Sequence, residues 1–180
     1  MPKLKQRLRE YVASCFTGIW VETQEPQEAA LDIQALCQEE EWRFARWDVD
    51  QGLRVAGQPV EDGQDPLVAV KSATAMGEET SVLVLENFHR FLGSPEIIQA
   101  MASQLHAGKQ TRSIIVVLAP VLELPPELEK MFVAIEHDLP NREELREIAA
   151  GIGVEEGELA EGRELEQVLR RSIRVDPVGG

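Results

Sequence analysis

Hydrophobic positions along the chain change their spacing several times, and each change marks a predicted element. Leu4, Leu8, Tyr11, Val12 and Cys15 share one face of a helix over residues 3–15. Gly18 closes that region, and Ile19, Trp20 and Val21 open a first strand. Pro26 suits the first turn of a helix, where a missing N–H leaves no bond unmade. It begins a predicted helix over 26–40 with Ala29, Ala30, Ile33, Leu36 and Cys37 as its apolar stripe. Trp42, Phe44 and Trp47 mark a second strand, with Arg43 and Arg46 interleaved. Residues 50–64 are polar and rich in Gly, which reads as a loop or a small hairpin. Asp65 and Pro66 then form the N-cap and first residue of a helix reaching about Met76.

Two runs stand apart because every position after their opening Ser is apolar. Ser81–Leu85 ("SVLVL") and Ser113–Ala119 ("SIIVVLA") are too short for buried helices and are rich in β-branched residues, so both read as strands covered on both faces. Between them Ser94 and Pro95 start a helix with Ile97, Ile98, Met101, Ala102 and Leu105 inward, stopping at Gly108. A fifth strand is predicted at Phe132–Glu136. Asn141 followed by Glu144 is the start of a capping box for a helix with Leu145, Ile148 and Ala149 inward, closed by Gly151. One or two short helices are predicted over 155–171, and no order over 176–180. Strand and helix alternate throughout. This predicts an α/β fold of three layers, with a mainly parallel five-stranded sheet between helices. The predicted organisation is an α/β domain over 1–150, a short helical segment over 151–174 and a disordered tail over 175–180.

In such sheets ligands bind beyond the C-terminal strand ends. After the first strand the chain reads Glu22–Thr23–Gln24–Glu25–Pro26–Gln27–Glu28. A phosphate cradle needs Gly so that backbone N–H groups can face the anion, Lys for the terminal phosphates, and Ser or Thr for magnesium. This stretch has no Gly, no Lys and three acids, and Glu25 and Glu28 offset the positive helix end themselves. The third strand is followed by Glu86–Asn87–Phe88–His89–Arg90–Phe91. Glu86 is placed to bind magnesium or orient a water, or simply to cap a buried strand; the missing cradle favours the cap. Thr23, Glu86 and Asn87 are the weak candidates for ligand contact. Phe88, His89, Arg90 and Phe91 form either an interaction surface or a pair of rings packed under the next helix. After the fourth strand, Ala119 and Pro120 lack the side-chain donor that would sense a terminal phosphate. The histidines, His89, His106 and His137, have no ligand spacing, and no nucleophile–base pair appears. No catalytic residue, cofactor ligand or metal ligand is therefore expected.

Charge narrows the partners. With 18 Lys plus Arg against 32 Asp plus Glu, the formal charge is −14, which disfavours nucleic acid and anionic membranes. The basic first helix, with Lys3, Lys5, Arg7 and Arg9, reads as a solvated face or an N-terminal anchor. Cys15 and Cys37 lack metal spacing and read as buried, reduced thiols, an arrangement suited to the cytoplasm. No apolar run is long enough for a membrane span, and residues 1–20 lack a signal-peptide core.

The runs "SVLVLENFHRFLGSPEIIQAMASQL" and "SIIVVLAPVLELPPELEKMFVAIEHDLPNREELREI" resemble the N-terminal domain of a family of bacterial and plastid AAA-type ATPases. In cyanobacteria and algal chloroplasts that family is known as a conserved uncharacterised reading frame. The opening "SCFTGIWVETQEPQEAALDIQALCQEEEWRFARWDVDQGL" is similar to it as well, so the resemblance covers residues 5–150. It implies a degenerate nucleotide-hydrolase fold, with Glu22–Glu28 at the place of the phosphate loop, Val82–Asn87 at the magnesium strand and Ile114–Ala119 at the sensor strand. It also implies an intact AAA module downstream, to which ATP and magnesium would belong. The chain stops before such a module and is expected to be either a stand-alone relative or a fragment of a longer ATPase. The expected function is a non-catalytic interaction or regulatory domain. Its expected partners are an AAA catalytic module in the same or another chain, sister subunits or a protein client. A small-molecule or nucleotide-binding crevice is the second reading, and ATP hydrolysis by this chain the last.

Overall fold

The computed structural model describes residues 3–137. The predicted helix from Asn141, the segments over 151–174 and 175–180, and the boundary at 150 lie outside the described residues.

Helix α1 (Leu4–Ala13) leads into strand β1 (Gly18–Glu22), helix α2 (Pro26–Glu40) and strand β2 (Arg43–Asp48). Strands β3 (Gly52–Val55) and β4 (Gln58–Pro59) follow, then α3 (Pro66–Lys71) and a 3-10 turn over Ala73–Ala75. Strand β5 (Ser81–Glu86), a second 3-10 turn (Phe88–Phe91), α4 (Pro95–Thr111), β6 (Ser113–Ala119) and β7 (Val133–Glu136) complete the described chain. Asp65 caps α3 as its type predicts, its side chain accepting the Leu67 N–H at 2.9 Å.

The sheet has seven strands in the order β4-β3-β2-β5-β6-β1-β7, two more than the five expected. Strands β2, β5, β6, β1 and β7 run parallel, while β3 and β4 are antiparallel additions at one edge. The extra pair comes from residues 50–64, where the hairpin alternative prevails. Gly52 takes φ +73° and Gly57 φ +82°, backbone angles that side chains resist. The short outer strand ends in Pro59, which has no N–H to offer another strand. Sequence alone could not register these strands because four and two residues are too few to show a period.

The sheet faces carry separate cores. Trp20, Trp47, Leu83, Leu85, Ile115 and Val117 pack against α3 and α4. Ile19, Val21, Val82, Val84, Val116 and Leu118 alternate with them and pack against α1 and α2. Burial on both faces explains why β5 and β6 contain no exposed position.

Two local expectations change. Gly108 does not stop α4, which runs on to Thr111 before Arg112 turns left-handed at φ 56°. Its role is close approach: a Cβ there would overlap the Ser113 carbonyl and crowd the Thr17 methyl. Cys15 is exposed, since α1 ends at Ala13 and Cys15 leaves it at φ 66°. Cys37 is buried under α2 as expected, and burial pushes its thiol up to about 12. Native protein should therefore expose one fast thiol to a disulfide reagent at pH 8, with Cys37 reacting only on unfolding. Two fast thiols would mean that α2 opens readily.

The basic face of α1 acts as an anchor. Lys5 Nζ lies 2.5 Å from Glu39 Oε1, Arg9 Nε 2.6 Å from Glu40 Oε1, and Arg9 Nη2 3.3 Å from Glu39 Oε2. The hydrogen bond from Lys5 holds the Glu39 carboxyl below its ordinary value. These pairs are largely exposed and give alignment more than stability.

Candidate functional site

The chain turns away from β1 toward β2 and later returns past β1 to reach β7, so the C-terminal end of β1 is the topological switch point. Three residues, Thr23–Glu25, join β1 to α2. Thr23 is 4% exposed, and its N–H and hydroxyl are both engaged. Its N–H donates to the Ala119 carbonyl at 2.8 Å. Its hydroxyl accepts the Glu25 N–H at 2.9 Å and meets His137 Nδ1 at 2.7 Å. His137 is fixed in turn, its N–H donating to the Glu22 carbonyl at 2.9 Å and its Nε2 lying 3.9 Å from Asp32 Oδ2. Of the first backbone groups of α2, Pro26 has no N–H and that of Glu25 is already bonded.

Glu86 ends β5 on the α2 side of the sheet and is 7% exposed. Both of its oxygens accept from Arg46, Oε2 from Nε at 2.8 Å and Oε1 from Nη2 at 3.1 Å. Register explains the pairing: Arg46 lies beside Val84, two residues before Glu86 on the same face, so a long side chain reaches forward to it. The hydrogen-bonded carboxylate pushes the Arg46 guanidinium above its ordinary value. Arg46 is the residue missed from sequence; its position on a strand two places short of a buried acid on the next strand was the available signal. Asn87 is exposed and takes φ 54°, a left-handed angle that Asn tolerates, with its N–H on the Leu118 carbonyl at 2.7 Å.

The 3-10 turn divides the proposed surface Phe88–Phe91. Phe88 is fully buried and does not belong to a surface: its ring meets Trp47 edge-on at 5.3 Å. Phe91 is half-buried against the same indole, also at 5.3 Å, so the packing alternative holds for both rings. Arg90 is exposed. His89 lines a cleft of about 710 Å³ on the α4 side, with Trp20, Leu92, Leu122, Glu123, Leu124, Pro125, Glu129, Phe132 and Ala134 among the other lining residues. His89 Nδ1 is shielded from solvent without a hydrogen-bond partner among the described residues. Burial first, then the adjacent Arg90 charge, holds the His89 imidazole below its ordinary value, leaving it mostly neutral at pH 7. Thr23, Glu86 and Asn87 do not line this cleft. Among the described residues no group of three or more His, Cys, Asp or Glu could hold a metal ion, and no helix is long and apolar enough to cross a membrane.

A family model described as the SpoVK-like AAA ATPase N-terminal domain matches residues 4–137. The chain belongs to that family. The chain is also similar in structure to AMPPCP-bound DnaA from Aquifex aeolicus, with a TM-score of 0.56 and 11% identity. That alignment covers 97% of this chain and 60% of DnaA, so the chain spans less than two thirds of its structural neighbour. At such identity the likeness establishes the fold alone, an α/β architecture of the phosphate-loop-like kind. No match was found among curated proteins.

Proposed function

We propose that this chain is a non-catalytic interaction or regulatory domain of an AAA-type ATPase, lacking a phosphate-binding loop and unable to hydrolyse ATP alone. The observation that carries the reading is the closed corner after β1. A phosphate loop of this class spends several residues wrapping the anion in free N–H groups. Here three residues make the turn, and the Thr23 hydroxyl and N–H are consumed internally. Glu86, at the place of a magnesium-binding carboxylate, is held by both oxygens on Arg46. A triphosphate with its metal does not fit these groups. ATP and magnesium would belong to an intact AAA module outside this chain. The partner is such a module in the same or another chain, a sister subunit or a protein client. The cyanobacterial and plastid branch of the family and a cytoplasmic location belong to the same reading, as does the absence of nucleic-acid and membrane partners at a charge of −14.

Titration of ATP with magnesium into the purified chain should release no binding heat and leave the melting temperature unchanged. A ligand held by the native state alone must raise the melting point, so saturable micromolar binding would overturn the proposal.

The cleft favours one second reading, a small-molecule module. Its volume suits a drug-sized ligand, yet its lining contains none of the strand-end polar groups of the corner. Thermal-shift screening of metabolites and nucleotides separates this reading from the first.

A further inference from the structure

The cleft on the α4 side has a composition that specifies an occupant. Its lining mixes polar atoms with apolar side chains, among them Leu92, Leu124 and Phe132, whose ring rests edge-on at 5.8 Å on the buried Trp20. The charged side chains among its described lining are both acids, Glu123 and Glu129. Apolar surface continues past the mouth, where Val121 is 39% exposed and Leu122 48% exposed. This ledge is held in place, because Trp20 Nε1 donates to the Val121 carbonyl at 2.9 Å. Large aliphatic side chains left in water beside an aromatic hollow mark a binding surface broader than a small-molecule cavity. His89 also lines the cleft, with its Nδ1 shielded from solvent and without a partner among the described residues.

We propose that this cleft docks a protein segment that places an apolar side chain on Phe132, Leu122 and Leu124 and directs a Lys or Arg at Glu123 and Glu129. The inference rests on the interaction-domain reading above and gives that interaction a place. The apolar anchor supplies affinity by leaving water, and the basic flank supplies orientation and selection, since an acidic segment meets like charge at the rim. A small apolar amine shares part of this chemistry but leaves the Val121–Leu122 ledge uncovered.

The test uses the full chain with isotope-labelled histidine and two synthetic amphipathic helical peptides, one of Leu and Lys, the other with Glu replacing Lys. At ~0.15 M salt, which screens charges beyond about 8 Å, the Leu/Lys peptide should shift the His89 imidazole signal saturably, and the Leu/Glu peptide should not. Leu122→Asp, and separately Glu123→Lys with Glu129→Lys, should each weaken that binding about tenfold or more. Charge reversal on the exposed loop beyond β4, Glu61→Lys with Asp62→Lys, should leave it unchanged. Equal weakening by the loop reversal would reduce the effect to diffuse charge and overturn the proposal. So would equal binding of both peptides, no binding of either, or a small aromatic amine saturating the cleft while the peptide fails to bind. Failure here removes the cleft and leaves the ATP result standing; ATP binding would sink the wider proposal whatever the peptides do.

Discussion

Arg46→Met should destabilise the domain by about 2–4 kcal/mol, and Glu86→Gln in the same background should recover part of that loss. Glu86 is 7% exposed at the end of β5, and Arg46 supplies two of its hydrogen bonds, at 2.8 and 3.1 Å. Removing the guanidinium leaves a carboxylate shielded from water with its charge uncompensated, which is the costly half of a buried pair. Arg46 is 29% exposed, so water reaching the vacated space lowers the penalty below that of a fully enclosed pair. Glu86→Gln alone keeps the volume and should cost less, about 1–2 kcal/mol, because an amide oxygen still accepts from Arg46. Chemical denaturation of the four proteins measures the coupling. Strict additivity would mean that the two side chains do not depend on each other, and Glu86 would then be free for other work. The functional corollary is an unchanged response to ATP in Arg46→Met, since freeing one carboxylate does not create a cradle at Thr23.

The most legible parts of the chain were those where burial acts on consecutive residues. In β5 and β6 both faces are covered, so their composition alone marked them, and their bounds follow Ser81 and Ser113 closely. Parallel order followed from the alternation of strands with helices. The absence of Gly and Lys between Glu22 and Glu28 is visible without coordinates. What escaped depends on register or on through-space neighbours. The Arg46–Glu86 pair spans 40 residues and is set by how β2 lies on β5. Gly108 looked like a helix stop, but the Ser113 carbonyl facing it is brought there by the entry into β6. The cleft gathers residues from β1, the second 3-10 turn, the segment after β6 and β7, so no local pattern announces it. Phe88 to Phe91 show the limit most plainly. Their sequence fits a surface or a packed turn equally, and Trp47, 41 positions before Phe88 in the sequence, decides for packing.

Trp47 is accordingly the side chain whose loss should cost most. It is 0% exposed, meets Phe88 and Phe91 edge-on at 5.3 Å each, and donates its Nε1–H to the Gly63 carbonyl at 2.9 Å. Trp47→Ala should destabilise by about 3–5 kcal/mol, the range for emptying a buried aromatic site. Against a total stability of about 5–15 kcal/mol, that is a large share. Trp47→Phe separates the contributions: it retains a ring against Phe88 and Phe91 and gives up the hydrogen bond. The Gly63 carbonyl also accepts the Leu53 N–H at 2.9 Å, so it is not left bare, and the cost of that bond should be only about 1 kcal/mol. Urea titration of both variants checks the ranking, and a loss below about 1 kcal/mol in Trp47→Ala would contradict the packing described. The two faces of β2 then give a sharper discriminator. Trp47 supports the 3-10 turn that carries His89, whereas Arg46 points to the opposite side of the sheet. Trp47→Ala should move the His89 imidazole signal and weaken peptide binding in the cleft, while Arg46→Met should lower stability and leave both unchanged. A His89 shift in both variants would mean that the sheet transmits strain between its faces, contrary to the separation of the two cores.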